Sequence, residues 1–216
     1  MRSITFTLTF FFFGSLLVLG ALGLFGLSEY VRVGKSVDRA MVFKPHPYVA
    51  YAQLPPALIK IFNEVEYPQS AMCNEWSGLE KTFSDTPSLH PDCNLTWELI
   101  KILMPTATQG SFIKEYEDHM TFFRLHVKYG YNEILEQVIN RFPFGKVEDR
   151  ELNGFQNASV YYFKKSLNEL SLEQLAGLVV ISRNPAYFYP FEDNKMYLRN
   201  RTFLLNLIRP SGTPAY

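Results

Sequence analysis

The sequence predicts an almost wholly α-helical domain behind one apolar N-terminal helix, and three observations carry that reading. Ile4 to Leu27 holds no charge and is rich in Phe, Leu, Val, Ile and Gly, about the length that crosses a bilayer core as a helix. Beyond it, apolar residues return at helical spacing in most segments. Ser171-Leu172-Glu173-Gln174 forms a capping box. Its Ser hydroxyl accepts the N3 amide proton while Gln174 reaches back to the Ser171 amide.

Arg2 precedes the apolar run, and Glu29, Arg32, Lys35, Asp38 and Arg39 follow it, so charge alone leaves its orientation undecided. An uncleaved anchor over residues 1–28 and a secretory signal peptide are both open, although a signal's apolar core is normally shorter. Gly20, Gly23 and Gly26 stand three apart and make no GxxxG face. Residues 29–54 read as a juxtamembrane connector, where Pro45-His46-Pro47 disfavours helix.

The domain proper is expected over 55–208, with a tail at 209–216. Pro55-Pro56 suits a first helical turn, and Leu58, Ile59, Ile61, Phe62 and Val65 make Ala57–Glu66 an amphipathic helix. Tyr67–Asp92 lacks periodicity and reads as a long loop. Leu95, Leu99, Ile102 and Leu103 share a helical face that Met104-Pro105 ends. Ser111 caps a helix carrying Tyr116, Met120, Phe123 and Val127, and Asn132–Phe142 is amphipathic through Ile134, Leu135, Val138 and Ile139. A short segment Asn157–Phe163 comes next. Leu170 and Leu175 then staple the capped helix, which stops at Asn184-Pro185. Asn194–Ile208 is the last helix.

Lys+Arg and Asp+Glu balance at 21 each, so no bulk field argues for nucleic acid. The two cysteines, Cys73 and Cys93, lack the Cys/His spacing of a zinc site.

The order Gly154, Ala158-Ser159, Tyr162-Phe163, Leu170-Ser171, Leu175-Ala176-Gly177-Leu178, Asn184-Pro185 resembles glycosyltransferase family 51, the peptidoglycan transglycosylases that polymerise lipid II. Ile134-Leu135, Asn140 and Phe144-Gly145 match the family's fourth motif without gaps. Glu66 falls on the catalytic Glu of the first motif, but its Asp, Phe and His have become Tyr67, Ser70 and Cys73. On the second motif Leu95, Thr96, Leu99, Lys101 and Leu103 match in kind. Its glycines have become Pro91 and Asp92, its Ser-Thr pair Cys93-Asn94, and its paired glutamines Trp97-Glu98. The third motif's Arg-Lys-x-x-Glu lands on Asp118 without a gap, or on Lys114 and Glu117 with a one-residue shift. Both placements stay open.

The resemblance implies a lysozyme-like helical domain on the extracytoplasmic (periplasmic) side of a single-pass anchor. It implies lipid II or a glycan strand as ligand. Glu66 is expected as general base on the acceptor sugar, in the largest groove and within reach of Glu117 or Asp118 as second carboxylate. Thr96, Lys101, Lys114 and Asn140 are expected to bind substrate, with a divalent cation aiding the departing pyrophosphate. Lost polar groups leave a second class open, a non-catalytic anchored protein that binds glycan or a cell-wall synthesis partner. A lysozyme-like lytic enzyme is a third. In the family's fold the positions of Cys73 and Cys93 approach each other at the cleft rim, which implies a Cys73–Cys93 disulfide in an oxidising compartment.

Overall fold

The protein is represented by a computed structural model that describes residues 2–66, 93–104, 112–188 and 194–208. It is mostly helical. Helix α1 spans Arg2–Val42, with its side chains described at 18–21 and from residue 23 onward. It runs without a break through the expected boundary at residue 28 and through much of the expected connector. Val33, Val37 and Met41 recur at helical spacing there and are buried, so this half of α1 belongs to the domain core. Among the described residues, no helix is long and apolar enough to cross a membrane.

The partner of that buried face is α4 (Phe112–Lys128), which lies beside α1 and runs in the same direction. Gly26 faces the Tyr116 hydroxyl, and a side chain at Gly34 would come within 3.3 Å of Arg124 Nε. Asp38 then gathers the end of α4. It accepts from Arg124 Nη2 at 2.6 Å, Lys128 Nζ at 2.7 Å and the Tyr129 hydroxyl at 2.9 Å. Those donors, Arg124 first, hold the Asp38 carboxyl well below the usual carboxylate range. Burial, reinforced by the bond to Asp38, pushes the Tyr129 hydroxyl up to about 12.

The last carbonyls of a helix have no partner within it. Here α5 (Tyr131–Arg141) supplies the donors. Arg141 Nη2 donates to Ala40 O at 2.5 Å and Phe43 O at 2.6 Å, and Gln137 Nε2 to Met41 O at 3.1 Å. The same helix then receives the connector. Asn140 exchanges two hydrogen bonds with the Val49 backbone, at 2.7 and 2.8 Å, and Glu136 accepts from Tyr51 N.

The helix expected over Ala57–Glu66 is α2 (Pro56–Ile61) followed by a wider π turn over Phe62–Glu66. That turn offsets the residues after it from the face an unbroken α-helix would give them. Next come α3 (Cys93–Leu103), with Leu95, Leu99 and Ile100 buried, and the hairpin below α5. The hairpin was not expected. Strands β1 (Pro143–Val147) and β2 (Arg150–Asn153) pair antiparallel around the two-residue turn Glu148-Asp149. Both turn residues have positive φ, 48° and 63°, as a type I′ hairpin demands. The ladder is irregular between Pro143 and Lys146, where Gly145 takes φ 88°; a glycine there forms the bulge at little cost.

Helices α6 (Phe155–Phe163), α7 (Leu172–Arg183) and α8 (Lys195–Ile208) complete the fold. The capping box forms as expected. Ser171 Oγ accepts from Gln174 N at 3.3 Å, and Gln174 Oε1 accepts from Ser171 N at 3.0 Å. From Leu175 to Ile181 helix α7 is apolar on every side, so it can only be stable when surrounded. Its residues from Leu175 to Ser182 are all buried, and it touches α2, α6, α8 and β1. Phe155 joins these parts, with ring centres 5.5, 5.8 and 5.0 Å from Phe62, Phe142 and Phe144. The proposed Cys73–Cys93 bond lies outside the described residues, as does the segment 67–92 to which Cys73 belongs.

Candidate functional site

The π turn delivers Glu66 to the C-terminal end of α7. There Arg183 donates to Glu66 Oε1 from Nη2 at 2.5 Å and from Nε at 3.2 Å. Both bonds go to Oε1, so among the described residues Oε2 is left to take a proton. The pair lines a cleft of about 260 Å³ together with Phe62, Glu98, Phe142 and Ser182. Glu66 therefore faces a cleft, though not the largest one. A cleft of about 510 Å³ between β1, Tyr161 and Pro185-Ala186 exceeds it.

The expected second carboxylates stand elsewhere. Glu117 Oε1 accepts from Arg32 Nη2 of α1 at 2.6 Å, and Arg32 is held in turn by Glu29 Oε2 at 2.6 Å. Asp118 pairs with Lys114 one turn earlier on α4, and Lys114 also approaches Met104 O at 3.5 Å. Neither Glu117 nor Asp118 is among the residues lining the Glu66 cleft. Glu98 is, and it accepts from Lys101 Nζ at 3.1 Å.

The remaining expected binding residues are distributed by burial. Lys101 is exposed on α3. Thr96 is fully buried, and Asn140 is buried with its side-chain amide on the backbone of Val49 and Glu136. Among the described residues, no three His, Cys, Asp or Glu side chains converge as a metal site. The divalent cation implied by the resemblance thus finds no ready cage there.

Sequence reasoning missed Arg183. Its signal was available: it is the only charged residue after Glu173 in an otherwise apolar helix, directly before the Asn184-Pro185 stop. It also treated Glu98 only as a replaced glutamine, because nothing in a linear motif says which residues share a cleft.

The chain is similar to penicillin-binding protein 1B of Escherichia coli, 32% identical over 115 residues, which are 53% of this chain and 14% of that protein. It is 27% identical to penicillin-binding protein 1B of Buchnera aphidicola subsp. Baizongia pistaciae over 179 residues, 78% of this chain and 24% of that one. To the biosynthetic peptidoglycan transglycosylase of Acinetobacter baylyi it is 26% identical over 144 residues, covering 65% of this chain and 62% of the relative. The chain thus spans less than two thirds of each relative's length. The transglycosylase family's profile matches residues 94–209, a span that takes in α3 to α8 and stops short of Glu66. With more than half its length matched, the chain belongs to the transglycosylase family, glycosyltransferase family 51.

Proposed function

We propose that the chain is a divergent peptidoglycan glycosyltransferase that works on lipid II or growing glycan strands at the outer face of a membrane. The observation that carries this is the seating of Glu66, oriented by Arg183, in a cleft walled by the family-matched helices α3 and α7. In this reading Glu66 Oε2 takes the proton of the acceptor sugar's 4-hydroxyl. The freed oxygen attacks the anomeric carbon of the donor, and the bond to the pyrophosphate breaks with its electron pair leaving on that group. A positioned base of this kind contributes ~10²–10⁴-fold.

Glu117 or Asp118 is then the second carboxylate, and with basic groups such as its own partner, Arg32 or Lys114 respectively, it would stabilise the departing pyrophosphate. Residues 4–27 anchor the chain, the domain is lysozyme-like and extracytoplasmic, and Cys73 pairs with Cys93. The mass of unreduced, alkylated protein checks that bond. A disulfide over such a loop is worth ~3 kcal/mol.

A second reading, a non-catalytic glycan-binding relative, is favoured by the burial of Thr96 and Asn140, two residues expected to meet substrate. Fluorescent lipid II separates the two. Full-length protein in detergent that builds glycan polymers supports the enzyme. Binding of lipid II with no polymer after prolonged incubation supports the second reading.

A further inference from the structure

We infer that Arg32 is a positioning residue. From the first charged turn of α1 it fixes the carboxylate of Glu117. That makes α1 part of the site, and makes Glu117, rather than Asp118, the second carboxylate. The inference deepens the proposed function and rests on that reading for what Glu117 does.

Three residues form a chain of contacts between two helices. Glu29 Oε2, one turn earlier on α1, accepts from Arg32 Nε at 2.8 Å and from Nη2 at 2.6 Å. The same Nη2 donates to Glu117 Oε1 of α4 at 2.6 Å. Glu29 thus holds the guanidinium, and the guanidinium holds Glu117. A glutamate on a helix surface has several rotamers open to it, and a charge-assisted hydrogen bond selects among them. Asp118 needs no such help. Its partner Lys114 stands one turn earlier on its own helix, a pairing that α4 supplies alone.

Stability does not account for Arg32. Its side chain is 57% exposed, and ion pairs so exposed stabilise little. Helix α1 is already docked by buried Val33, Val37 and Met41 and by Asp38 with Arg124 and Lys128. The sequence points the same way. In the register that puts the third motif's Lys and Glu on Lys114 and Glu117, its arginine falls on Ile113. Helix α4 therefore has no guanidinium of its own at that position, and α1 brings one to Glu117. Arg32 also closely follows the uncharged stretch 4–27. In the proposed anchoring, that is the depth at which a lipid-linked substrate carries its charged group.

The test is a double-mutant cycle on full-length protein in detergent, with Arg32→Ala, Glu117→Gln and the double variant. It is read as kcat and KM for fluorescent lipid II, with thermal melts to confirm folding. Lys35→Ala, which removes another exposed cation of α1, controls for loss of charge. Arg32→Ala is expected to lower kcat about tenfold, with KM within about twofold. Arg32→Lys, which keeps the charge without the fork, falls between. In Glu117→Gln, adding Arg32→Ala changes kcat by less than about twofold, because Arg32 then has nothing left to position. Lys35→Ala behaves as wild type. Glu117→Asp replaces Glu117→Gln if the latter leaves no measurable rate. Glu29→Gln, which loosens the guanidinium without removing it, replaces Arg32→Ala if that variant does not fold.

Additive losses in folded variants overturn the inference, as does Arg32→Ala at the wild-type rate. So does a Lys35→Ala loss as large as that of Arg32→Ala. A wild type that binds lipid II but forms no polymer sinks the catalytic reading instead. The cycle is then read on lipid II affinity, where coupling between Arg32 and Glu117 keeps the inference and additivity overturns it. Lipid II that neither binds nor polymerises overturns both.

Discussion

Glu66 and Arg183 are far apart in sequence and bonded in space, and each needs the other. A carboxylate at the end of a π turn has rotamer freedom that a guanidinium donating from two nitrogens to one of its oxygens restricts. Removing Arg183 should therefore misplace the base rather than unfold the domain. Arg183→Ala is predicted to cut the polymerisation rate about tenfold to a hundredfold. Arg183→Lys, which keeps charge but loses the fork, should fall between, in the same initial-rate assay. Gly154 makes the structural counterpart. Its φ is 83°, and a Cβ there would sit 2.6 Å from Asn140 O, so strain and clash combine. Gly154→Ala is predicted to destabilise by about 3 kcal/mol in chemical denaturation. The sequence made Gly154 and Glu66 visible because a fixed motif spacing surrounds each. Arg183 and Glu98 were not legible as site residues, because a shared cleft depends on how α2, α3 and α7 converge.

At the scale of elements, periodicity and punctuation did most of the work. The helices at 93–103, 131–141 and 172–183 lie where apolar spacing, Ser171 and Pro185 put them. The hairpin stayed hidden because its turn is Glu148-Asp149, without the Asn-Gly that announces a type I′ turn, and its strands carry few apolar residues. The second half of α1 stayed hidden for a different reason. Its buried stripe, Val33, Val37 and Met41, is too short to outweigh the prolines that follow it.

The Asp38 network is what docks this half of α1 on α4. Because its donors lower the Asp38 pKa on folding, the carboxylate contributes stability above its unfolded value of about 4 and loses it as pH falls further. Asp38→Asn is predicted to cost about 1–2 kcal/mol near neutral pH. The gap from wild type should close progressively below pH ~4, as read by urea denaturation across pH. A gap that persists unchanged at low pH would show that the charge is not what holds the two helices together.

For the whole molecule, α1 has two parts with different duties. Residues 28–42 are bound into the domain by Asp38, by the buried stripe and by Arg141 at its last carbonyls. The uncharged stretch from Ile4 to Leu27 precedes them on the same helix, so an anchor there would fix the domain's attitude to the membrane through a rigid joint. Arg32 and Glu117, only a turn or so beyond the apolar stretch, would then stand at headgroup depth, about 1.5 Å of rise per residue from the hydrocarbon edge. Full-length protein is accordingly predicted to stay with the membrane fraction through carbonate washing.

The central claim is that the Glu66 cleft carries out the chemistry. It is tested most directly by the initial rate of lipid II polymerisation in wild type and in Glu66→Gln, an exchange that keeps the shape and removes the base. The account predicts a fall of ~10²-fold or more with a melting temperature within a few degrees of wild type. A Glu66→Gln protein that polymerises at the wild-type rate would contradict it.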